Sequence, residues 1–228
     1  MDGVRHVTRT ASLFRYGRGA PQDLVMRIGL FGGSFNPVHI AHLVQARDVL
    51  EQLSLDRVEF VVSAQPPHKL DRLDRLASAE QRLEMVRLAI SGQEAFSVSR
   101  VEIDRPGPSY TIDTVRWYRR QYPDAELYWI LGADNLLELH QWREAEALVR
   151  SCRMVVVERP GFERIAITPE RVHLPDEICR AMQARRVAVR LLDINSTDIR
   201  RRLREGRAIE WLVPDAVATY IHANKLYG

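Results

Sequence analysis

Cysteine is almost absent: Cys152 and Cys179 are the two thiols in 228 residues. Two cysteines so far apart build neither a disulfide framework nor a metal knuckle, and they fit a reducing, cytoplasmic setting. No apolar run approaches the roughly 20 residues of a membrane-spanning helix, so no membrane partner is expected. An excess of one charge is missing too. Lys and Arg number 33 against 30 Asp and Glu, for a net charge of +3. The pI near 9.1 therefore reflects many arginines in near balance. That suits anionic small substrates and is no footprint of a nucleic-acid partner. Two common phosphate-binding signatures are also lacking: there is no G-x-x-x-x-G-K-[ST], and no G-x-G-x-x-G opens a helix.

What is present is an alternation. Strand-like runs at Arg27–Phe31, Arg57–Ser63, Phe96–Ile103, Leu127–Leu131, Arg153–Val157 and Val187–Leu192 are separated by helical patterns. These lie at His39–Leu53, Ser78–Ser91, Tyr110–Gln121, Asn135–Leu139 with Arg143–Leu148, and Asp176–Ala184. Strand–helix alternation predicts an α/β fold, a Rossmann-like doubly wound parallel sheet with helices on both faces. The length and the 46% apolar fraction allow one core. Residues 26–228 are expected to form a single domain, with 193–228 as a small C-terminal helical part that binds phosphate. Residues 1–25 carry four arginines and no secretory core. They read as a loose extension or an upstream start, with an organellar leader as the alternative.

The segment Gly29–His42 carries the strongest local signal: strand, Gly32-Gly33 turn, Asn36-Pro37 stop, then a helix opening with His39 and His42. Glycines admit close approach of a ligand to the backbone. A helix start offers N–H groups and a positive dipole end to phosphate. Histidines three apart share a helical face. A second segment, Asn195-Ser196-Thr197-Asp198-Ile199-Arg200, places hydroxyls at a helix start with a guanidinium one turn in. Here Ser196 or Thr197 can cap the helix, and the group can form a second phosphate site. The plain alternative is a capped, solvated basic helix.

Strand-Gly-Gly-Ser-Phe-Asn-Pro-x-His-x-x-His with a distal Ser-Thr-x-x-Arg resembles the nucleotidylyltransferase superfamily, with its HxGH and ISSTxxR motifs. Pro66-Pro67-His68-Lys69, Pro108–Thr114 and Gly132–Asn135 leading to Trp142 narrow the resemblance to the bacterial nicotinate-nucleotide adenylyltransferase family. It spans roughly residues 26–228. The resemblance implies an enzyme that joins ATP and nicotinate mononucleotide into deamido-NAD and pyrophosphate, with Mg²⁺ entering on ATP. It implies His39, His42 and Arg200 as catalytic residues. Gly32, Gly33, Ser34, Asp134, Ser196 and Thr197 would bind ATP. Lys69, Ser109, Tyr110, Thr111 and Trp142 would bind the mononucleotide, with no metal held by the protein.

Each assignment has a plainer counterpart. The histidine pair could be structural or half of a metal site, although no third ligand or H-E-x-x-H pattern accompanies it. Asp134 could cap a helix, Trp142 could be core, and Lys69 a solvated charge. Ala41, Asn36 and Asn195 depart from the family's motifs, and Arg143 stands where some relatives carry an aromatic residue. Ala41 in place of glycine implies some loss of nucleotide affinity or a shifted pose. Alternative readings are another phosphate acceptor (nicotinamide mononucleotide or pantetheine phosphate), or a non-catalytic nucleotide sensor. The oligomeric state, a homo-oligomer included, is left open.

Overall fold

The computed structural model describes residues 25–67, 76–158, 160–162 and 165–228. The elements run β1 (Arg27–Gly33), α1 (Ile40–Gln52), β2 (Arg57–Val62), α2 (Ala79–Ala89), β3 (Phe96–Ser99), α3 (Thr111–Gln121) and β4 (Glu126–Gly132). They continue as α4 (Ala133–Leu136), α5 (Ala145–Ser151), β5 (Arg153–Val157), α6 (Pro169–Val172), α7 (Asp176–Ala184), α8 (Ser196–Arg204) and α9 (Asp215–Ala223). The described strands form one parallel sheet in the order β3-β2-β1-β4-β5. This is the expected Rossmann-like sheet.

Successive side chains on a strand point to opposite faces. Ile28 and Leu30 of β1, Trp129 of β4 and Met154 of β5 pack on one face with Ile112, Val115, Leu148 and Met182 from α3, α5 and α7. Phe31, Phe60, Ile130 and Val155 pack on the other with Val49, Val86, Ile199 and Ile221 from α1, α2, α8 and α9. Both faces are covered, and this is why β2, β4 and β5 read as almost unbroken apolar runs. The expected C-terminal helices α8 and α9 are therefore part of the same packing as the sheet.

Two strand expectations need correction. Val187–Leu192 makes a single bridge, Val187 to Val157, and then leaves the sheet. The Arg190 N–H donates to Asp48 Oδ2 at 2.8 Å, and its guanidinium to Asp48 Oδ1 at 2.7 Å. An almost buried carboxylate on α1 thus outcompetes strand pairing. The β3 run stops at Ser99 instead of Ile103. There Arg100 turns back to grip Glu80 at 2.7 and 2.9 Å, and its carbonyl accepts from the N–H groups of Ile103 and Asp104. The short helix α6 was not expected, although Thr168-Pro169 is an ordinary helix start.

The two thiols are buried at 5% and 1% relative exposure. Burial pushes the Cys152 thiol up to about 12 and raises that of Cys179. Since the thiolate is the reactive form, a charged disulfide reagent at pH 8 should titrate neither thiol in the folded protein and both after unfolding.

Candidate active site

The sheet grows from β1 to β2 and β3 on one side, then returns to place β4 and β5 on the other. Connections diverge at that reversal, so a crevice opens at the carboxyl ends of β1 and β4. A cleft of about 1270 Å³ lies there. Gly32, Gly33, Ser34, His39, His42, Ser109, Tyr110, Thr111, Asp134, Trp142, Ser196, Thr197 and Arg200 all line it. Lys69 and His68 lie outside the described residues.

The two glycines are dictated by the protein's own aromatic rings. A Cβ on Gly32 would stand 2.3 Å from Trp129, and one on Gly33 would stand 2.9 Å from Phe35. Trp129 is buried beneath the turn, which leaves the turn backbone as the surface of the cleft. His39 is the extended residue preceding α1, and His42 sits in its first turn. The two rings stack with centroids 3.6 Å apart. The His39 N–H donates to His42 Nδ1 at 3.2 Å. An accepting Nδ1 places the proton of a neutral His42 ring on Nε2, so that edge is a donor. Phe31 and Phe35 pack edge-on against the same ring at 6.0 and 5.1 Å and fix its orientation.

The start of α1 is less open than a bare helix end. The Ile40 N–H donates to Leu212 O at 3.0 Å and the His42 N–H to His39 O at 3.0 Å. Side chains, more than unpaired helix N–H groups, therefore carry the positive character here.

The cap of α8 is Asn195, whose side chain accepts from the Asp198 N–H at 2.9 Å. This corrects the expectation of a Ser196 or Thr197 cap; an Asn cap stabilises a helix by about 1 kcal/mol relative to alanine. Ser196 is thereby released to donate to Pro37 O at 2.9 Å. Arg200 donates to Asn36 O at 2.7 Å and to Thr197 Oγ1 at 3.3 Å. Partial burial lowers its guanidinium from the usual range. The two distant motifs are thus hydrogen-bonded to each other.

On the opposite wall, Asp134 lies in the first turn of α4, while Gly132 occupies the capping position. Trp142 is half-buried, packs on the Ile28–Trp129 side of the core and also faces the cleft. The Ser109 hydroxyl accepts from the N–H groups of Ala64 and Gln65 at 3.0 and 3.1 Å. Tyr110 precedes α3 without a side-chain cap, and the Arg143 guanidinium lies 4.7 Å above its ring. Among the described residues, no group of three or more His, Cys, Asp or Glu could hold a metal ion.

Sequence reasoning missed two residues at this site. Glu102 is buried at 4% exposure and lines the cleft. Burial raises its carboxyl, while hydrogen bonds from Thr114, Ser109 and Ser63 and the charge of Arg105 pull it back. Its delivery depends on the turn at Arg100, which the pattern read as strand. Arg82 is the second, and its signal was available: it shares the apolar stripe of α2 with Met85 and Val86.

A family model described as "Cytidylyltransferase-like" matches residues 30–202. A Thermus thermophilus protein named "Probable nicotinate-nucleotide adenylyltransferase" is 45% identical over 204 residues, covering 89% of this chain and 100% of the relative. One of the same name from Pelobacter propionicus is 44% identical over 217 residues, covering 89% and 99%. The chain belongs to the nicotinate-nucleotide adenylyltransferase family. In fold it is similar to Plasmodium falciparum nicotinic acid mononucleotide adenylyltransferase complexed with NaAD. The TM-score is 0.69 at 18% identity, over 89% of this chain and 97% of that one.

Within the adenylyltransferase family frame, the departures acquire physical readings. Ala41 is 3% exposed and is not among the residues lining the cleft, so its methyl is turned away from the space a ligand would fill. Asn195 is itself the cap of α8, so this departure leaves the helix start satisfied. Asn36 is buried, and its side-chain oxygen accepts from the Tyr227 hydroxyl at 2.7 Å and the Ala77 N–H at 3.0 Å. Ala41→Gly should accordingly leave the KM for ATP unchanged and lower stability by up to about 1 kcal/mol. Steady-state kinetics beside a denaturant melt checks both.

Proposed function

We propose that the protein transfers the adenylyl group of ATP to nicotinate mononucleotide, releasing pyrophosphate and deamido-NAD, by direct in-line attack. The observation that carries this reading is the union of the two motifs. Arg200 and Ser196 of α8 are bonded to the carbonyls of Asn36 and Pro37, beside the stacked histidines. Cationic and hydrogen-bonding groups from both ends of the chain thereby face one cleft.

The chemistry asks little of protein nucleophiles. A phosphate oxygen of the mononucleotide attacks the α-phosphorus, and the bond to the β-phosphate bridging oxygen breaks. The electron pair leaves with pyrophosphate. The barrier is lowered by aligning two anions and stabilising charge on the transferred group. His42, held as an Nε2–H donor, is assigned to the transferred phosphoryl group, with His39 stacked behind it. Arg200, with Ser196 and Thr197, takes the outgoing pyrophosphate as a bidentate cation suits phosphate oxygens. The Gly32–Ser34 backbone lies along the nucleotide, and Asp134 accepts from ribose hydroxyls. Trp142 offers its indole face to the electron-poor pyridine ring. Tyr110 and Thr111 at the start of α3 receive the nicotinate end, and Ser109 braces them. Lys69, outside the described residues, is assigned to the same acceptor on the family resemblance alone.

Mg²⁺ enters as part of the ATP substrate, carried by phosphates and water. The buried free thiols support a cytoplasmic setting.

Pyrophosphate release with Mg·ATP should be strong with nicotinate mononucleotide and weak with nicotinamide mononucleotide or pantetheine phosphate. An inverted order would overturn the acceptor assignment. His42→Ala should lower kcat per folded molecule by about 10²–10³-fold, the range for losing one positioned donor, beside a fall in melting temperature from its lost packing against Phe31 and Phe35. Trp142→Ala should raise the KM for the mononucleotide by about tenfold, a stacking-sized loss, and that for ATP far less. Equal effects on both would mark Trp142 as core alone.

A further inference from the structure

Arg82 is 1% exposed, yet it carries a guanidinium. Burial pushes it down to about 10, so it remains charged at neutral pH. Among the described residues no carboxylate pairs with it. Its partners are four backbone carbonyls: Ala77 at 2.9 Å, Ser34 at 2.8 Å, Ser63 at 2.6 Å and Ala64 at 3.2 Å. A buried charge that meets only carbonyls among the described residues is costly, by several kcal/mol before its hydrogen bonds are counted. Filling a core would ask only for an apolar side chain, as Met85 and Val86 supply on the same stripe.

The carbonyls it holds belong to three segments on the cleft: the turn after β1, the loop after β2, and the approach to α2. In a trans peptide the carbonyl and the following N–H point in opposite directions. The Ser63 and Ala64 carbonyls face Arg82, and the N–H groups of those same two peptides, on Ala64 and Gln65, both donate to Ser109 Oγ. Arg82 and Ser109 therefore clamp two peptide units from opposite sides. Ser109 leads directly into Tyr110 and Thr111, while the Ser34 carbonyl anchors the Gly32–Ser34 turn. One planar cation thus links the wall assigned to ATP with the wall assigned to the mononucleotide.

We propose that Arg82 is a positioning residue that sets the separation of the two substrate subsites, an inference that rests on the adenylyl-transfer reading. It touches neither substrate and acts through the loops it ties. Its loss should therefore leave single-substrate binding near wild type and damage turnover, because misplacement of about 1 Å between reacting groups costs about 10²-fold.

Arg82→Lys keeps the charge and loses the planar fork that reaches three segments. The full-length variant is assayed for turnover with Mg·ATP and nicotinate mononucleotide, each substrate is titrated alone by calorimetry, and rates are expressed per folded molecule. We expect kcat to fall by about 10²-fold with each Kd near wild type. We also expect guanidinium at low millimolar concentration to restore part of the rate in Arg82→Ala. If Arg82→Lys does not fold, Arg82→Gln, which keeps a planar neutral donor for the same carbonyls, is read the same way. A wild-type kcat per folded molecule, or a loss that resides wholly in one substrate's Kd, overturns the inference. Wild-type protein that binds ATP but releases no pyrophosphate with nicotinate mononucleotide overturns the adenylyl-transfer reading itself, and this inference with it.

Discussion

Strand β1 must serve two neighbours, and the rest of the site depends on that constraint. It pairs with β2 along one edge and β4 along the other, both parallel. Parallel neighbours are reached by right-handed crossovers, so connections that run to opposite edges lie on opposite faces of the sheet. The carboxyl end of β1 is left between them, uncovered by either. Only at such a point can a turn expose its backbone to a ligand while its other side rests on the core. Trp129 and Phe35 fill the space under that turn so closely that its two glycines have no room for a side chain.

The polar groups around the cleft are mostly committed to one another before any ligand arrives. The α1 start bonds to the loop before α9, the α8 arginine bonds to the β1 turn, and hydroxyls surround Glu102. Such engagement is what preorganisation means physically: donors and cations are already oriented, so little reorganisation accompanies the reaction. It also moves the source of positive potential. The dipole of a helix end is worth less than about 2 kcal/mol and fades within a turn. Full guanidinium charges held in place by carbonyls reach further than the partial charge of a helix end.

Much of this was legible in the residues. Alternating apolar runs and helical stripes located β1, β2, β4 and β5 and every long helix, because burial on both strand faces and on one helix face leaves a pattern. The motif residues His39, His42 and Arg200 stood out because charged or titratable groups follow glycine and capping residues there. Less visible was anything decided by partners distant in sequence. Val187–Leu192 has the composition of a strand, and only the presence of Asp48 on α1 draws it away. The end of β3 was set by Glu80, twenty positions before Arg100. That Ser196, freed by the Asn195 cap, bonds to Pro37 depends on a segment 159 positions away. Arg82 broke an apolar stripe in plain view, yet its four acceptors come from segments whose meeting no local pattern encodes.

The latch between α8 and the β1 turn spans 159 residues for Ser196 to Pro37 and 164 for Arg200 to Asn36. Contacts so remote in sequence form late, because the loop they close is nearly as long as the domain. As the chain leaves the ribosome, the glycine turn and both histidines emerge early and wait for their cation through most of synthesis. A partly made chain therefore holds one half of a phosphate site and lacks the other. Delivery of α8 and assembly of the site become the same event.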